Sequence, residues 1–145
     1  LPKRNFNGRI PRQMNVKVNR RSKIPYYQQL TQQLHLLIAT GNLKKGDHLP
    51  SIRKLATQIN LNLHTVRKSY KELQKKGIIT INPHTRALVT VDSNKAKTIS
   101  LQQLSMSVEQ IMIEAYILGI NECQLKEMFH KNLQKYYVES ERDGF

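Results

Sequence analysis

Between Asn62 and Lys68 the chain reads Asn-Leu-His-Thr-Val-Arg-Lys, a run rich in side chains that can read base-pair edges. Asn can pair with adenine, Arg with guanine, and Thr or Leu can touch a thymine methyl. A helix starting here turns Asn62, Leu63, His64, Thr65, Arg67 and Lys68 outward or sideways if Val66 points inward. Val66 must do so, because Val66, Tyr70 and Leu73 form an apolar stripe at helical spacing. Lys68 is assigned to phosphate, which adds affinity without sequence information. Arg53, near the start of a preceding short helix, can bind phosphate or reach a base beside free backbone N–H groups. Arg86, in a later turn, is placed to enter an adjacent minor groove, which attracts arginine when narrow. Plainer readings exist for three of these. Asn62 could only cap its helix, Thr65 could bond backbone, and Arg67 could pair with Glu72, although their spacing is not the favoured three or four.

Such residues need elements to hold them. Pro25 suits a first helical position, and Tyr27, Leu30, Leu34, Leu37 and Ile38 follow a helical stripe that Gly41 ends. Gly46-Asp47 reads as a turn. Ser51 can cap a short second helix with Ile52, Leu55, Ala56 and Ile59 on its apolar face. Lys54 stands where a capping box would need Glu. Asn62 caps a third helix, and Gly77 ends it. The period then changes, and Ile78 to Ile81 and Ala87 to Val91 read as strands around a turn over 82–86. The predicted fold class is mainly α with a small β-hairpin: a winged helix-turn-helix over residues 24–92, then a C-terminal two-helix dimerisation hairpin over 98–140. Residues 92–97 read as a weak linker. Residues 1–23, with two prolines and no period, read as a basic N-terminal arm, more readily a mobile tail than a groove-bound one. Met14 is a candidate natural start, the residues before it then being an expression remnant.

Charge supports a polyanion partner. The net charge is +14 and it is unevenly spread. Residues 1–23 hold eight Lys/Arg and no acid, residues 24–92 hold ten and three, and residues 93–145 hold six and seven. The excess therefore coincides with the base-reading run, which favours double-stranded DNA over mere solubilisation. The single Cys123 excludes an intramolecular disulfide and fits a reducing cytoplasm. No apolar run approaches the roughly 18 residues of a membrane span, and no signal-peptide core is present. The expected location is cytoplasmic. The five histidines include no pair at metal-binding i,i+4 spacing, and no nucleophile or phosphate-loop motif appears. An enzyme is not expected, and neither a cofactor nor a metal.

The C-terminal part gives two helices. The first carries Leu101, Leu104, Val108, Ile111, Met112, Ala115 and Leu118 and ends near Gly119. The second opens at Asn121, with Gln124 as its capping partner, and carries Leu125, Met128, Phe129, Leu133 and Tyr136. Ile113, Tyr116 and Ile117 add a second apolar face to the first helix. A lone helical hairpin cannot bury two faces. A homodimer is predicted, with Leu104, Val108, Ile111, Met112, Ala115, Leu125, Met128 and Phe129 at its contact. Packing back onto the winged part is the alternative, and both can hold. The hairpin is small for a dedicated pocket of about 300–1,000 Å³. A small-molecule effector, of unknown identity, could bind at the dimer interface near Tyr116, Phe129, Tyr136 and Tyr137.

The spaced set Gly41, Leu43, Gly46, Leu49, Pro50, Ser51, Arg53, Leu55 and Ala56, then Thr65-Val66-Arg67, then Leu73 and Gly77, resembles the DNA-binding domain of the GntR family of bacterial transcription regulators. The openings Pro25 to Leu30, Ser51 to Ala56 and Ser69 to Leu73 are similar to its small YtrA-like branch, whose members dimerise through two C-terminal helices. The resemblance covers roughly residues 24–138. It implies a cytoplasmic homodimeric regulator, usually a repressor, binding an inverted-repeat operator. It also implies control of an operon that includes its own gene and an ABC-type transporter. The family's DNA contacts carry over to Arg53, Asn62, His64, Thr65 and Arg67. Two departures stand out. Leu63 occupies a position where the family usually has Arg or a small polar residue, and Pro83-His84-Thr85-Arg86 replaces a glycine-containing wing tip. The alternatives are a winged-helix module for protein–protein or RNA binding, since fold alone does not fix function, and a non-specific architectural DNA binder.

Overall fold

The computed structural model describes residues 14–84, 86–91 and 98–138. The expected N-terminal arm before Met14, Thr85 of the wing turn, the expected linker and the last residues of the expected C-terminal region lie outside them. The described residues divide into two compact units, one ending after the β-hairpin and the other opening with the fourth helix.

The first unit holds helices α1 (Tyr26–Ala39), α2 (Ile52–Ile59) and α3 (Leu63–Lys75), followed by strands β1 (Ile79–Thr80) and β2 (Leu88–Val89). This is the expected winged helix-turn-helix. Pro25 is the N-cap of α1 rather than its first residue. Ser51 caps α2 as expected, its Oγ accepting the Lys54 N–H at 3.1 Å. Asn60 closes α2 in the left-handed region at φ 51°, a conformation that asparagine tolerates better than most residues. Asn62 then caps α3, its Oδ1 accepting the His64 N–H at 2.9 Å. At the far end of α3, Gly77 takes φ 71°, and the Ile78 N–H reaches back to the Leu73 carbonyl at 3.0 Å. That closure turns the chain sharply into the wing.

Helices α1 and α2 both pack on α3. Leu30, Leu34, Leu55, Val66, Tyr70 and Leu73 meet there and are fully buried. Each such leucine contributes about 1.5–3 kcal/mol by leaving water. One polar contact sits among them, a 2.8 Å bond between the Thr31 and Ser69 hydroxyls.

The wing is shorter than the sequence suggests. Ile79 pairs with Val89 and Thr80 with Leu88, antiparallel. Beyond these, the Thr90 and Val91 N–H groups both converge on the Ile78 carbonyl, at 3.0 and 3.1 Å, so the regular ladder stops there. The other edge of β2 is also occupied. The Gly46 N–H donates to the Val89 carbonyl and the Leu49 N–H to the Ala87 carbonyl, both at 2.8 Å. Gly46-Asp47 is thus more than a turn: it leads the chain along β2 and closes that edge against unwanted pairing.

The segment from Met14 to Ile24 differs from a mobile tail. Met14 and Val16 are buried in the same core. Gln29 of α1 grips the strap through three bonds, accepting from the Asn19 N–H at 2.8 Å and donating to the Asn19 and Ile24 carbonyls at 3.1 and 2.8 Å. The lack of a hydrophobic period hid this, because an extended strap is held by alternate apolar anchors and backbone bonds.

The second unit is α4 (Thr98–Ile117), α5 (Glu122–Leu133) and a terminal π-helical turn (Gln134–Val138). Gly119 reverses the chain at φ 73°. Asn121 and Gln124 form the expected reciprocal capping box at the start of α5. Ala115 is buried, and Leu125 and Phe129 are half-buried, around this connection. Elsewhere the apolar residues face solvent. Leu104 is 62% exposed, Ile111 48% and Tyr116 86%. Met112, Leu125, Phe129 and Leu133 line an open groove of about 920 Å³. No described helix is long and apolar enough to cross a membrane.

Candidate nucleic-acid interface

Two short helices and the tight turn between them place the candidate side chains. Helix α3 turns Val66, Ser69, Tyr70 and Leu73 into the core, so its opposite side is solvent-facing. His64, Arg67 and Lys68 are exposed there, with Leu63 and Thr65 half-buried at the flanks. The inward turn of Val66 is as expected, and it is what forces Arg67 outward.

Their partners show what is left for a ligand. The Asn62 cap occupies its Oδ1, leaving the amide N–H₂ as a donor and the oxygen a second lone pair. Among the described residues, no hydrogen bond holds the Thr65 hydroxyl and no ion pair holds Arg67. Glu72 pairs instead with Lys75, at 3.8 Å on the surface. From Ser51 to Gly77 Glu72 is the only acid against seven Lys/Arg, so this face carries a positive field that suits a phosphate backbone. Lys68 is less free than expected, its Nζ lying 3.9 Å from the centroid of the Tyr27 ring.

Arg53 is exposed in the first turn of α2, directly after the Ser51 cap. What sets α2 against α3 is Tyr70, whose hydroxyl donates to the Pro50 carbonyl at 2.6 Å. The sequence marks Tyr70 as core but not this bond. Its one signal was that a buried tyrosine hydroxyl requires a partner. Burial also raises the Tyr70 pKa well above the ordinary phenol range, so this hydroxyl stays a donor. Arg86 is exposed on the wing, a separate element, beside the buried Ala87. The structure thus gathers Arg53, Asn62, Leu63, His64, Thr65, Arg67 and Lys68 on the two-helix motif and carries Arg86 on the hairpin. Among the described residues no His/Cys/Asp/Glu group could hold a metal ion.

A three-helix core, a capped and solvent-facing α3 and a β-wing define the class of winged helix-turn-helix DNA-binding proteins. Comparison with known proteins narrows this. The profile described as "Bacterial regulatory proteins, gntR family" matches residues 26–89. The HTH-type transcriptional repressor YtrA of Bacillus subtilis is 37% identical over 116 residues, spanning 77% of this chain and 87% of its own. The GntR-family transcription factor YtrA from Sulfolobus acidocaldarius has a similar structure, with TM-score 0.55 and 34% identity over 68% of this chain and 97% of that one. A Listeria monocytogenes transcriptional antiterminator shares the fold at TM-score 0.74 and 23% identity, over 82% and 90% of the two chains. This chain belongs to the GntR family. It is a DNA-binding transcriptional regulator and not an enzyme.

Proposed function

We propose that this protein is a homodimeric repressor that reads an inverted-repeat operator. Each protomer presents the first turn of α3 to a major groove. In this reading Arg67 and Asn62 read bases, His64 and Thr65 adjoin them, Arg53 meets phosphate or a neighbouring base, and Lys68 meets phosphate. Leu63 offers only an apolar contact, such as a thymine methyl. Arg86 reaches for the minor groove from a wing that has no glycine at its tip.

The observation that carries the reading is the exposed, acid-poor face of α3 opposite a fully buried stripe. The homodimer rests on a second observation, the apolar exposure of the C-terminal unit. Leu104, Val108, Ile111, Met112 and Met128 all face solvent there. An area of this kind on a soluble regulator needs a cover, and a second copy's helices suit the open groove. Ala115, Leu125 and Phe129 shape the hairpin on which those contacts sit. Repression is favoured by the Bacillus subtilis relative, which is itself a repressor. The family resemblance further points to a cytoplasmic bacterial protein that controls its own operon with an ABC-type transporter.

Binding-site selection from random duplexes tests this. The expected result is a palindromic motif with half-sites about 10 bp apart, or a multiple. Selection that returns no motif turns the reading toward an architectural binder. Loss of duplex binding with retention of a protein or RNA partner turns it toward an interaction module.

A further inference from the structure

Two consecutive tyrosines open α1, and each holds a cation brought from a different element. Arg20, from the strap, lies with its Cζ 5.7 Å from the Tyr26 ring centroid. Lys68, from α3, stands 3.9 Å above Tyr27. We propose that Arg20 and Lys68, seated on Tyr26 and Tyr27, form a second, base-independent surface for the DNA phosphate backbone, flanking the α3 read-out face. This rests on the DNA-binding reading and extends it to a strap and a helix that the helix-turn-helix motif does not include.

Arg20 is fixed to the motif itself. Its Nη2 donates to the Asn60 carbonyl at 2.7 Å, and Asn60 lies two residues before the Asn62 cap of α3. One bond leaves most of the five guanidinium N–H donors unused, and the side chain is exposed. Tyr27 is fixed as well. The Thr31 hydroxyl donates to the Tyr27 carbonyl at 2.7 Å. Having spent its one proton, Thr31 must accept from the Ser69 hydroxyl in their 2.8 Å contact. That buried chain locks the head of α1 to α3 beside Lys68.

The chemistry of the seats points to an anion. A carboxylate would neutralise each cation, whereas an aromatic face orients a cation and leaves its charge intact. No acid occurs before Asp47 in this chain, while the strap alone adds Lys17, Arg21 and Lys23 to Arg20. Cations held in place before binding lose less freedom when a phosphate arrives. A duplex is favoured over an acidic protein because Lys68 belongs to α3 and Arg20 is bonded to the turn that introduces it.

The test measures binding of the full-length chain to its selected duplex and to an unrelated duplex across a salt series. Parent, Arg20→Gln, Arg20→Lys, Lys68→Gln and the Arg20→Gln/Lys68→Gln double variant are compared, with thermal melts confirming folding. Each lost phosphate contact should lower the slope of log K against log salt by about 0.9. That drop should appear on both duplexes, with the selected motif unchanged and Arg20→Lys close to the parent. A folded Arg20→Gln with the parental slope, or with an altered motif, overturns the proposal. Parental binding without any motif defeats sequence reading alone, since the slope on an unrelated duplex still reports this surface. Failure of the parent to bind any duplex at low salt overturns both.

Discussion

Leu73 and Leu104 are both helical leucines at apolar-stripe positions, yet Leu73 is fully enclosed and Leu104 is 62% exposed. The contrast holds for the units around them. The winged unit closes its core with three helices, a hairpin and the Met14–Ile24 strap. The C-terminal unit buries Ala115 near its turn and leaves most of its apolar side chains in solvent. The two therefore carry different kinds of stability. The first is complete within one chain, as expected for a part that must hold the proposed read-out face rigid. The second leaves its apolar faces open, and under the proposed dimer its stability depends on the copy that covers them.

The sharpest way to break that contrast is to place charge on the open half. A Leu104→Asp/Ile111→Asp double variant should give a monomer by light scattering and leave the winged unit folded. Losing the second half-site contact should weaken operator binding on the order of 10²–10⁴-fold in anisotropy titrations. A variant that stays dimeric with parental affinity shows that these residues do not make the contact. The closed half should answer differently. Leu73→Ala opens a cavity in the winged core, where Leu73 is fully buried, and should cost about 2–5 kcal/mol in denaturant unfolding of the winged unit. A cost below about 1 kcal/mol would mean that the core closes around the gap and is less tightly specified than its burial implies.

The same contrast explains what could be read in advance. Helices α1 to α3 were legible because their stripes have period and their ends have chemistry: Ser51 and Asn62 as caps, Gly41 and Gly77 as stops. The α5 start at Asn121 and Gln124 was legible for the same reason. The outward face of α3 followed from Val66, Tyr70 and Leu73 alone, because a helix with one side buried has its other side assigned. What escaped were features held by long-range backbone and side-chain bonds. The strap depends on Gln29, the extra edge of β2 on Gly46 to Leu49, and the setting of α2 on Tyr70 and Pro50. None of these leaves a periodic trace, because each rests on one to three bonds between positions distant in sequence. Lys68 was legible as an outward-facing cation on α3. Its seat on Tyr27 was not, since that depends on how α1 crosses α3.

Within the closed unit, the read-out face should be separable from the core beneath it. Arg67 is exposed and makes no ion pair among the described residues, so Arg67→Ala should leave the melting temperature within about a degree, as surface changes usually do. Discrimination at one base-pair position of the selected motif should fall by about 1–3 kcal/mol. Uniform weakening on all sequences, with the motif unchanged, would reassign Arg67 to phosphate. A drop in melting temperature as large as that of Leu73→Ala would mean that the face and the core are one structure.

The smallest effect sharpens the contrast through pH. His35 lies half-buried on α1, and its Nε2 has no hydrogen-bond partner among the described residues. Burial, and secondarily the charge of Lys76, hold its pKa below the ordinary value of 6.5. The unfolded chain therefore takes up this proton at a higher pH than the folded one. Stability from a neutral His35 is complete above about pH 6.5 and is lost as pH falls from there through the lower folded value. Melts of the winged unit should lose temperature between pH 7.5 and 5, and His35→Gln should flatten part of that loss while leaving the C-terminal helices unaffected. An identical pH profile for His35→Gln would show that the imidazole finds a partner or solvent when charged. The closed unit would then be less sealed at the α1–α3 crossing than its leucines suggest.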